Sequence, residues 1–177
     1  MPVPSHLLRL ADLIDRLTRA VGQAAMWCAL AMVVVQFAVV VMRYALGVGS
    51  IWLQELIVYE HAALLMLAAA WTLQVGGHVR VDIFYAGAQP RTKAWIDLAG
   101  ALLLLLPFCA AILYFALPYV GRSWSTLERS REASGLPLVF LLKTLIPLFA
   151  LLMALQGVAQ IVRALAVLFP ARGPGGD

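Results

Sequence analysis

Residues 24–42 read AAMWCALAMVVVQFAVVVM, an apolar run whose one strongly polar side chain is Gln36. As a helix rising 1.5 Å per residue, this run reaches roughly 28 Å, enough to cross the hydrocarbon core of a bilayer. Three further apolar stretches follow, at about residues 52–75, 96–119 and 136–163. We therefore predict an all-α integral membrane protein with a four-helix transmembrane domain over residues 24–169.

The composition supports this prediction. Hydrophobic residues make up 63% of the chain and charged residues 12%, with a mean hydropathy of +0.91. A soluble domain carries about 25% charged residues, so a soluble fold of this size lacks the polar groups to cover its surface. The net charge of +4 comes from basic residues scattered singly between apolar runs. Because they form no stripe for a phosphate backbone, we expect no nucleic-acid binding.

The two ends of the chain differ from the apolar centre. Within residues 1–23, apolar side chains recur at steps of three and four with charged residues between them, which predicts an amphipathic helix. The apolar positions are Leu7, Leu10, Ile14, Leu17 and Val21. This helix is expected either to lie in the membrane interface or to extend the first span. Residues 170–177 are rich in Gly and Pro and are predicted to be disordered.

The distribution of Lys and Arg predicts the orientation. With four spans, one face carries eight basic residues and the other four, while Lys143 lies inside the fourth span. The first set is Arg9, Arg16, Arg19, Arg80, Arg91, Lys93, Arg163 and Arg172, and the second is Arg43, Arg122, Arg129 and Arg131. Since basic residues concentrate on the cytoplasmic side, both termini are expected in the cytoplasm.

Motifs for independent catalysis are absent from the sequence. There is no G-x-x-x-x-G-K-[ST] phosphate loop and no Ser/His/Asp or Cys/His set at a suitable spacing. Cys28 and Cys109 both lie inside apolar runs, without a neighbouring Cys or His at metal-ligand spacing. We predict a protein that is not an enzyme and holds no cofactor or metal. An inverted repeat, which is typical of a self-sufficient secondary transporter, is also lacking.

Ionisable residues inside the spans are the main functional signal, because such groups are costly in lipid and are usually functional or paired. Glu55, Glu60 and His61 lie early in the second span, and Lys143 lies early in the fourth. Glu60 is roughly 12 Å and Lys143 roughly 9 Å from the same outer face. Two alternatives follow. Either Glu60 or Glu55 pairs with Lys143, or Lys143 reaches the headgroups while Glu60 and His61 face another protein.

Two connecting segments complete the set of candidates. Between the second and third spans, His78, Arg80 and Asp82 are expected to fix the turn at the end of the second helix. Between the third and fourth spans, Ser125-Thr126-Leu127-Glu128 matches a capping box and would start a short surface helix. Trp124, Glu128 and Arg131 are the candidate docking surface of this outer loop.

Four motifs in a fixed order carry a family resemblance over residues 24–163. They are Arg43-Tyr44, Trp52-Leu53-Gln54-Glu55-Leu56, Gly77-His78-Val79-Arg80-Val81-Asp82, and Gly135-Leu136-Pro137 followed by Lys143 and Pro147. The chain resembles the DctQ-like small membrane subunit of tripartite ATP-independent periplasmic (TRAP) transporters. One departure is Gln54, where the family often has a second acidic residue.

The resemblance implies a small scaffold subunit in a bacterial inner-membrane complex. A periplasmic binding protein would capture an organic acid, and a separate large transmembrane subunit would carry it inward, typically with sodium. Two alternatives from other classes are a membrane anchor of a redox enzyme with His61 as a haem ligand, and a small antiporter that uses Glu60.

Overall fold

Four long helices form the protein, for which a computed structural model describes residues 3–78, 85 and 87–170. They are α1 (Ser5–Ala45), α2 (Ile51–Gln74), α3 (Pro90–Ser125) and α4 (Val139–Leu168), and each is long and apolar enough to cross a membrane. The described residues contain no strand. A helix satisfies its own backbone hydrogen bonds, which is what a lipid environment requires. The predicted all-helical fold with four spans is confirmed.

Helix α1 runs without a break through the N-terminal segment and the first span, over roughly 60 Å. Of the two arrangements expected for residues 1–23, the structure has the extension of the span. The reason lies in what covers the apolar stripe. Ala11 and Ile14 pack against Ala159 and Val162 of α4, so protein rather than lipid headgroups buries this face.

Helix α3 is continuous through Pro107, but it changes its hydrogen-bonding pattern just before that residue. Residues Ala101–Leu105 form a π-helical turn, in which the Leu106 N–H donates to the Ala101 carbonyl five residues back. Proline has no N–H to donate to the fourth residue before it, and its ring crowds that turn. The wider turn accommodates this within an unbroken helix.

Helix α2 ends in a glycine cap. Gly76 has a φ of +68°, and the Gly77 N–H donates to the Thr72 carbonyl at 2.8 Å while the Gly76 N–H donates to the Leu73 carbonyl at 3.2 Å. This is the Schellman arrangement, which satisfies the last carbonyls of a helix with main-chain groups. His78 is exposed and makes no hydrogen bond to the described residues, so main-chain groups cap α2 there, and a role of His78 in the following turn stays a prediction. Arg80 and Asp82 lie outside the described residues.

Helix α4 is the centre of the bundle, because it packs against each of the other three helices. One core cluster joins Ala70 of α2, Cys109 of α3, and Leu152 and Met153 of α4. Large apolar side chains also face outward, as at Trp27 and Phe37, which are 70% and 69% exposed. A protein that exposes large apolar side chains in this way is suited to a lipid solvent.

Two glycines mark close approaches between helices. A Cβ added to Gly22 of α1 would lie 2.7 Å from the Cβ of Trp71 on α2. A Cβ added to Gly157 of α4 would lie 2.8 Å from a methyl group of Leu105, within the π-helical turn of α3. Glycine therefore sets the spacing of α1 against α2 and of α4 against α3.

Candidate functional site

Polar side chains gather at the two ends of the bundle, which we name the Glu55 end and the Gln74 end after residues near the start and at the end of α2. At the Glu55 end, the carboxylate of Glu55 accepts a hydrogen bond from the Ser130 hydroxyl and one of 2.6 Å from the Leu136 N–H. Ser130 and Leu136 also bond to each other through their main chains. Glu55 thus holds the loop of residues 126–138 against α2.

Gly135 makes this contact possible. A Cβ at this position would overlap the Ser130 hydroxyl oxygen and would lie 2.7 Å from a carboxylate oxygen of Glu55. Both contacts are far inside ordinary van der Waals distance, so a larger residue would force the loop off the carboxylate. The Gly135-Leu136-Pro137 motif therefore has a structural role, in which Gly135 gives room and Leu136 gives the main-chain donor.

Lys143 pairs with a loop residue rather than with α2. Its ammonium lies 2.5 Å from a carboxylate oxygen of Glu128 and 4.2 Å from the centre of the Tyr119 ring. The same oxygen of Glu128 accepts a 2.7 Å hydrogen bond from Ser123. The Glu60–Lys143 or Glu55–Lys143 pairing, one of the two expected alternatives, is not the arrangement in the structure. The expected pairing rested only on the similar depths of Glu60 and Lys143 in the membrane. In the structure, Glu128 of the loop pairs with Lys143 from the end of the bundle.

The electrostatic surroundings of Glu128 favour its charged form. Two hydrogen bonds lower the pKa of the Glu128 carboxyl below its usual range. The bond from Lys143 has the larger effect and the bond from Ser123 the next largest. Glu128 lies in the loop after α3, so its charged carboxylate is near the aqueous boundary of the membrane. A carboxylate held ionised in this way is a stable partner for the Lys143 ammonium.

The expected surface helix after Ser125 does not form. Residues Ser125 and Thr126 instead close α3, because their hydroxyls donate to the Arg122 carbonyl at 2.8 and 3.1 Å. Leu127 follows with a φ of +45°, which ends the helical path. The apparent capping box therefore belongs to a helix end, where the same hydroxyl residues bond backwards to free carbonyls.

The predicted docking residues of the outer loop are partly engaged within the chain. The indole N–H of Trp124 donates to the Thr144 hydroxyl at 2.8 Å, and its ring meets Phe140 edge to face at 4.7 Å. Glu128 forms an ion pair with Lys143 and accepts a hydrogen bond from Ser123, while Arg131 is exposed. A docking role for these three residues stays a prediction.

Several polar groups of the spans have no partner among the described residues. The Tyr59 hydroxyl and one carboxylate oxygen of Glu60 are buried without a hydrogen bond. His61 and Gln36 are exposed, and no hydrogen bond to another described side chain or main-chain group satisfies either. Gln36 lies seven residues before Arg43, roughly 10 Å deeper in the span.

A buried polar network at the Gln74 end joins α1 to α4. The amide of Gln156 donates to Asp15 at 2.9 Å and accepts from Thr18 at 3.0 Å. Arg163 pairs with Asp15 and, at 3.2 Å, with Asp12. Thr18, Gln156 and Asp15 are only 0%, 2% and 7% exposed. Because an unpaired polar group at this depth is costly, the network fixes the register of α1 on α4.

Sequence reasoning did not identify this network. A signal was present on each helix separately. Asp15 and Thr18 are three residues apart on α1, and Gln156 and Arg163 are seven apart on α4, so each pair lies on one helical face. Nothing local says that those two faces meet, since Asp15 and Gln156 are 141 positions apart.

The described residues contain no group of three or more His, Cys, Asp and Glu side chains placed to hold a metal ion. The arrangement as a whole is that of side chains that tie helices and loops together. Its contacts are hydrogen bonds and ion pairs between structural elements.

Comparison with protein families matches residues 32–167 to the DctQ component of tripartite ATP-independent periplasmic transporters. The match begins in the first span and ends one residue before the end of α4, so it covers more than half of the chain. No curated protein and no solved structure matches the chain. The family, with four helices that can each span a membrane, indicates a multi-pass membrane protein. The chain belongs to the DctQ family, the small membrane component of TRAP transporters.

Proposed function

We propose that this chain is a non-catalytic scaffold that binds and braces the large translocating subunit of its transporter. The complex would take up an organic acid that a periplasmic binding protein delivers, driven by an ion gradient. The family supports the assignment to a TRAP transporter. The structural observation that supports a scaffold is the set of polar groups within the spans that have no hydrogen-bond partner in the described part of this chain.

Gln36 is the clearest example of a polar side chain without a partner among the described residues. It lies in a groove between α1 and α2 of about 380 Å³, which we call the Gln36 groove. The groove is lined by Gln36, Val39, Val40, Arg43, Tyr44, Gln54 and Ile57. An exposed carboxamide in hydrocarbon without a hydrogen bond costs several kcal/mol. Glutamine side chains in membranes commonly bond across to a neighbouring helix, so the groove suits a helix of the large subunit that carries a polar side chain.

Apolar surface continues the groove toward the centre of the span. Met32, Val33 and Phe37 of α1 join Ile57 of α2 around a second, apolar hollow of about 410 Å³. A helix bound here would therefore contact both an apolar surface and the amides of Gln36 and Gln54. This combination is typical of helix association in membranes, which depends on packing and on a few interhelical hydrogen bonds.

Co-purification with the large subunit tests the proposal. Gln36→Leu should lower the amount of this chain recovered with a tagged large subunit, because it removes the interhelical hydrogen bond while keeping the apolar bulk. Gln23→Leu is the matched control, since Gln23 is also exposed on α1 but lies outside the groove. Equal recovery of both variants would place the interface elsewhere. Full uptake by the large subunit without this chain would overturn the scaffold role itself.

A further inference from the structure

A second polar hollow lies at the Gln74 end, where α1, α2 and α4 meet. It measures about 470 Å³ and is lined by Asp12, Asp15, Arg16, Arg19, Gln74, Val75 and Arg163. Its size falls within the range of roughly 300–1,000 Å³ that is common for small-molecule sites. We name it the Arg16–Arg19 cleft. Its contents are unlike those of the Gln36 groove, because three of its seven lining residues are arginines.

The charges of the cleft are not balanced. Both acidic residues, Asp12 and Asp15, are already bound to Arg163. Arg16 and Arg19 form no ion pair or hydrogen bond with any residue in the described part of the chain. Two guanidinium groups one helical turn apart therefore face the cleft without an anion. Guanidinium groups bind phosphate oxygens well, often through two parallel hydrogen bonds.

Gln74 adds a second requirement for a ligand of the cleft, a hydrogen-bond donor. Its amide oxygen is buried and has no hydrogen-bond donor among the described residues. It lines both this cleft and an adjoining hollow of about 370 Å³ that reaches Pro90 and Gln160. A ligand that satisfies the cleft therefore carries an anion for the arginines and a hydroxyl or amine that donates to Gln74.

The depth of the cleft identifies the source of such a ligand. Gln74 ends α2, roughly 33 Å along the helix from Trp52, a distance close to the thickness of the hydrocarbon core. Val75 forms an apolar rim and is 61% exposed. The cleft thus lies at headgroup level, with polar groups inside and an apolar edge on which acyl chains can rest. Basic pockets between transmembrane helices at this level bind anionic lipid headgroups.

We propose that the Arg16–Arg19 cleft binds the headgroup of an anionic phospholipid, with phosphatidylglycerol as the best fit. The phosphodiester accepts hydrogen bonds from Arg16 and Arg19, and a glycerol hydroxyl donates to the amide oxygen of Gln74. Arg163 stays on its two aspartates and shapes the wall. The lipid would bind where α1, α2 and α4 meet and so would strengthen the bundle at that end.

Lipid titration of the full-length chain in detergent tests this site, with native mass spectrometry and thermal unfolding as readouts. Phosphatidylglycerol should be retained and should raise the Tm, whereas phosphatidylcholine with the same acyl chains should do neither. The double variant Arg16→Gln/Arg19→Gln should weaken phosphatidylglycerol binding by about tenfold or more, because charge-assisted hydrogen bonds to phosphate are lost. Arg9→Gln/Arg91→Gln removes the same charge from exposed positions outside the cleft and should leave binding nearly unchanged.

A second variant tests the headgroup itself. Gln74→Leu should weaken phosphatidylglycerol binding but not the binding of phosphatidic acid, which carries no glycerol hydroxyl for Gln74 to accept from. The lipid site would be refuted by equal retention of phosphatidylcholine, or by equal losses in the two arginine double variants. Competition by soluble glycerol phosphate at the same concentration would show a small-anion site and would also overturn the proposal.

Discussion

Two carboxylates, Glu55 on α2 and Glu128 after α3, fasten the loop of residues 126–138 to the helices beside it. Glu55 binds the loop through Ser130 and Leu136, and Glu128 binds Lys143 at the start of α4. Both contacts lie near the end of the bundle, where a charged group loses less hydration than at the membrane centre. Single side chains therefore decide how α3 is joined to α4.

We expect Glu128 and Lys143 to behave as a coupled pair. Glu128→Gln and Lys143→Met should each lower the Tm of the purified protein, because each leaves the other partner without its ion pair. The double variant should lose less than the sum of the two single losses. Glu132→Gln is the control, since this exposed side chain forms no hydrogen bond or ion pair with the described residues and its loss should be near zero. Strictly additive losses would mean that the pair contributes nothing.

The lowered pKa of Glu128 predicts a pH dependence of stability. In the folded protein this carboxyl keeps its charge to lower pH than in the unfolded chain, so the unfolded chain binds more protons as the pH falls. The contribution is fully present above the ordinary pKa of 4.5 and is lost as the pH drops through the lowered value. The Tm of wild-type protein should therefore approach that of Glu128→Gln on acidification. Parallel Tm curves between neutral pH and pH about 3 would contradict this.

The buried network around Gln156 should be equally sensitive to a single change. Gln156→Leu leaves Asp15 and Thr18 without one partner each and should cost about 1–3 kcal/mol in the free energy of unfolding. Gln160→Leu, one turn further along α4, breaks no hydrogen bond and should change it by less than about 0.5 kcal/mol. Denaturant unfolding in detergent measures both. Similar losses in the two variants would show that the network does not hold α1 on α4.

At the scale of the helices, two contacts depend on a glycine that lets the helices approach closely: Gly22 of α1 against α2, and Gly157 of α4 against α3. Gly22→Ala should destabilise the protein, since the new methyl group would lie 2.7 Å from the Cβ of Trp71, which cannot move without its backbone. Such overpacking costs about 1–3 kcal/mol. Gly100→Ala meets nothing within 4 Å and should instead stabilise α3 by about 0.8–1 kcal/mol through helix propensity. Thermal unfolding should show opposite signs, and the same sign in both would contradict this packing.

The sequence predicted the number and kind of these elements but not their full length. Apolar runs mark the part of a helix inside hydrocarbon, whereas α1 and α3 continue past it for many residues. The apolar periodicity of residues 1–23 predicted a helix there but left open whether it continues the first span, because nothing local says that α4 covers Ala11 and Ile14. The candidate site shows the same limit. Residue counting gave Glu60 and Lys143 similar depths, but it could not place the loop that brings Glu128 to Lys143.

At the scale of the whole molecule, the basic residues still predict that both termini face the cytoplasm. The exposed loop residue Ser134 and the exposed Thr92 at the start of α3 lie toward opposite ends of the bundle. With a membrane-impermeant maleimide added to intact cells, Ser134→Cys should react and Thr92→Cys should not. The wild-type chain, with Cys28 and the buried Cys109, is the control for background labelling. The reverse pattern would invert the topology.

The π-helical turn in α3 bears on how this chain tolerates changes of length. Its hydrogen bonds span five residues instead of four, so it holds one residue more than an ordinary turn. Deleting one residue from 101–105 would let the segment rewind as α-helix and would crowd Pro107 against the preceding turn, but Cys109 and the residues after it would keep their facing. The same deletion elsewhere in α3 would rotate everything beyond it by about 100°. This turn is the place where α3 can lose a residue and still present the same side to α4.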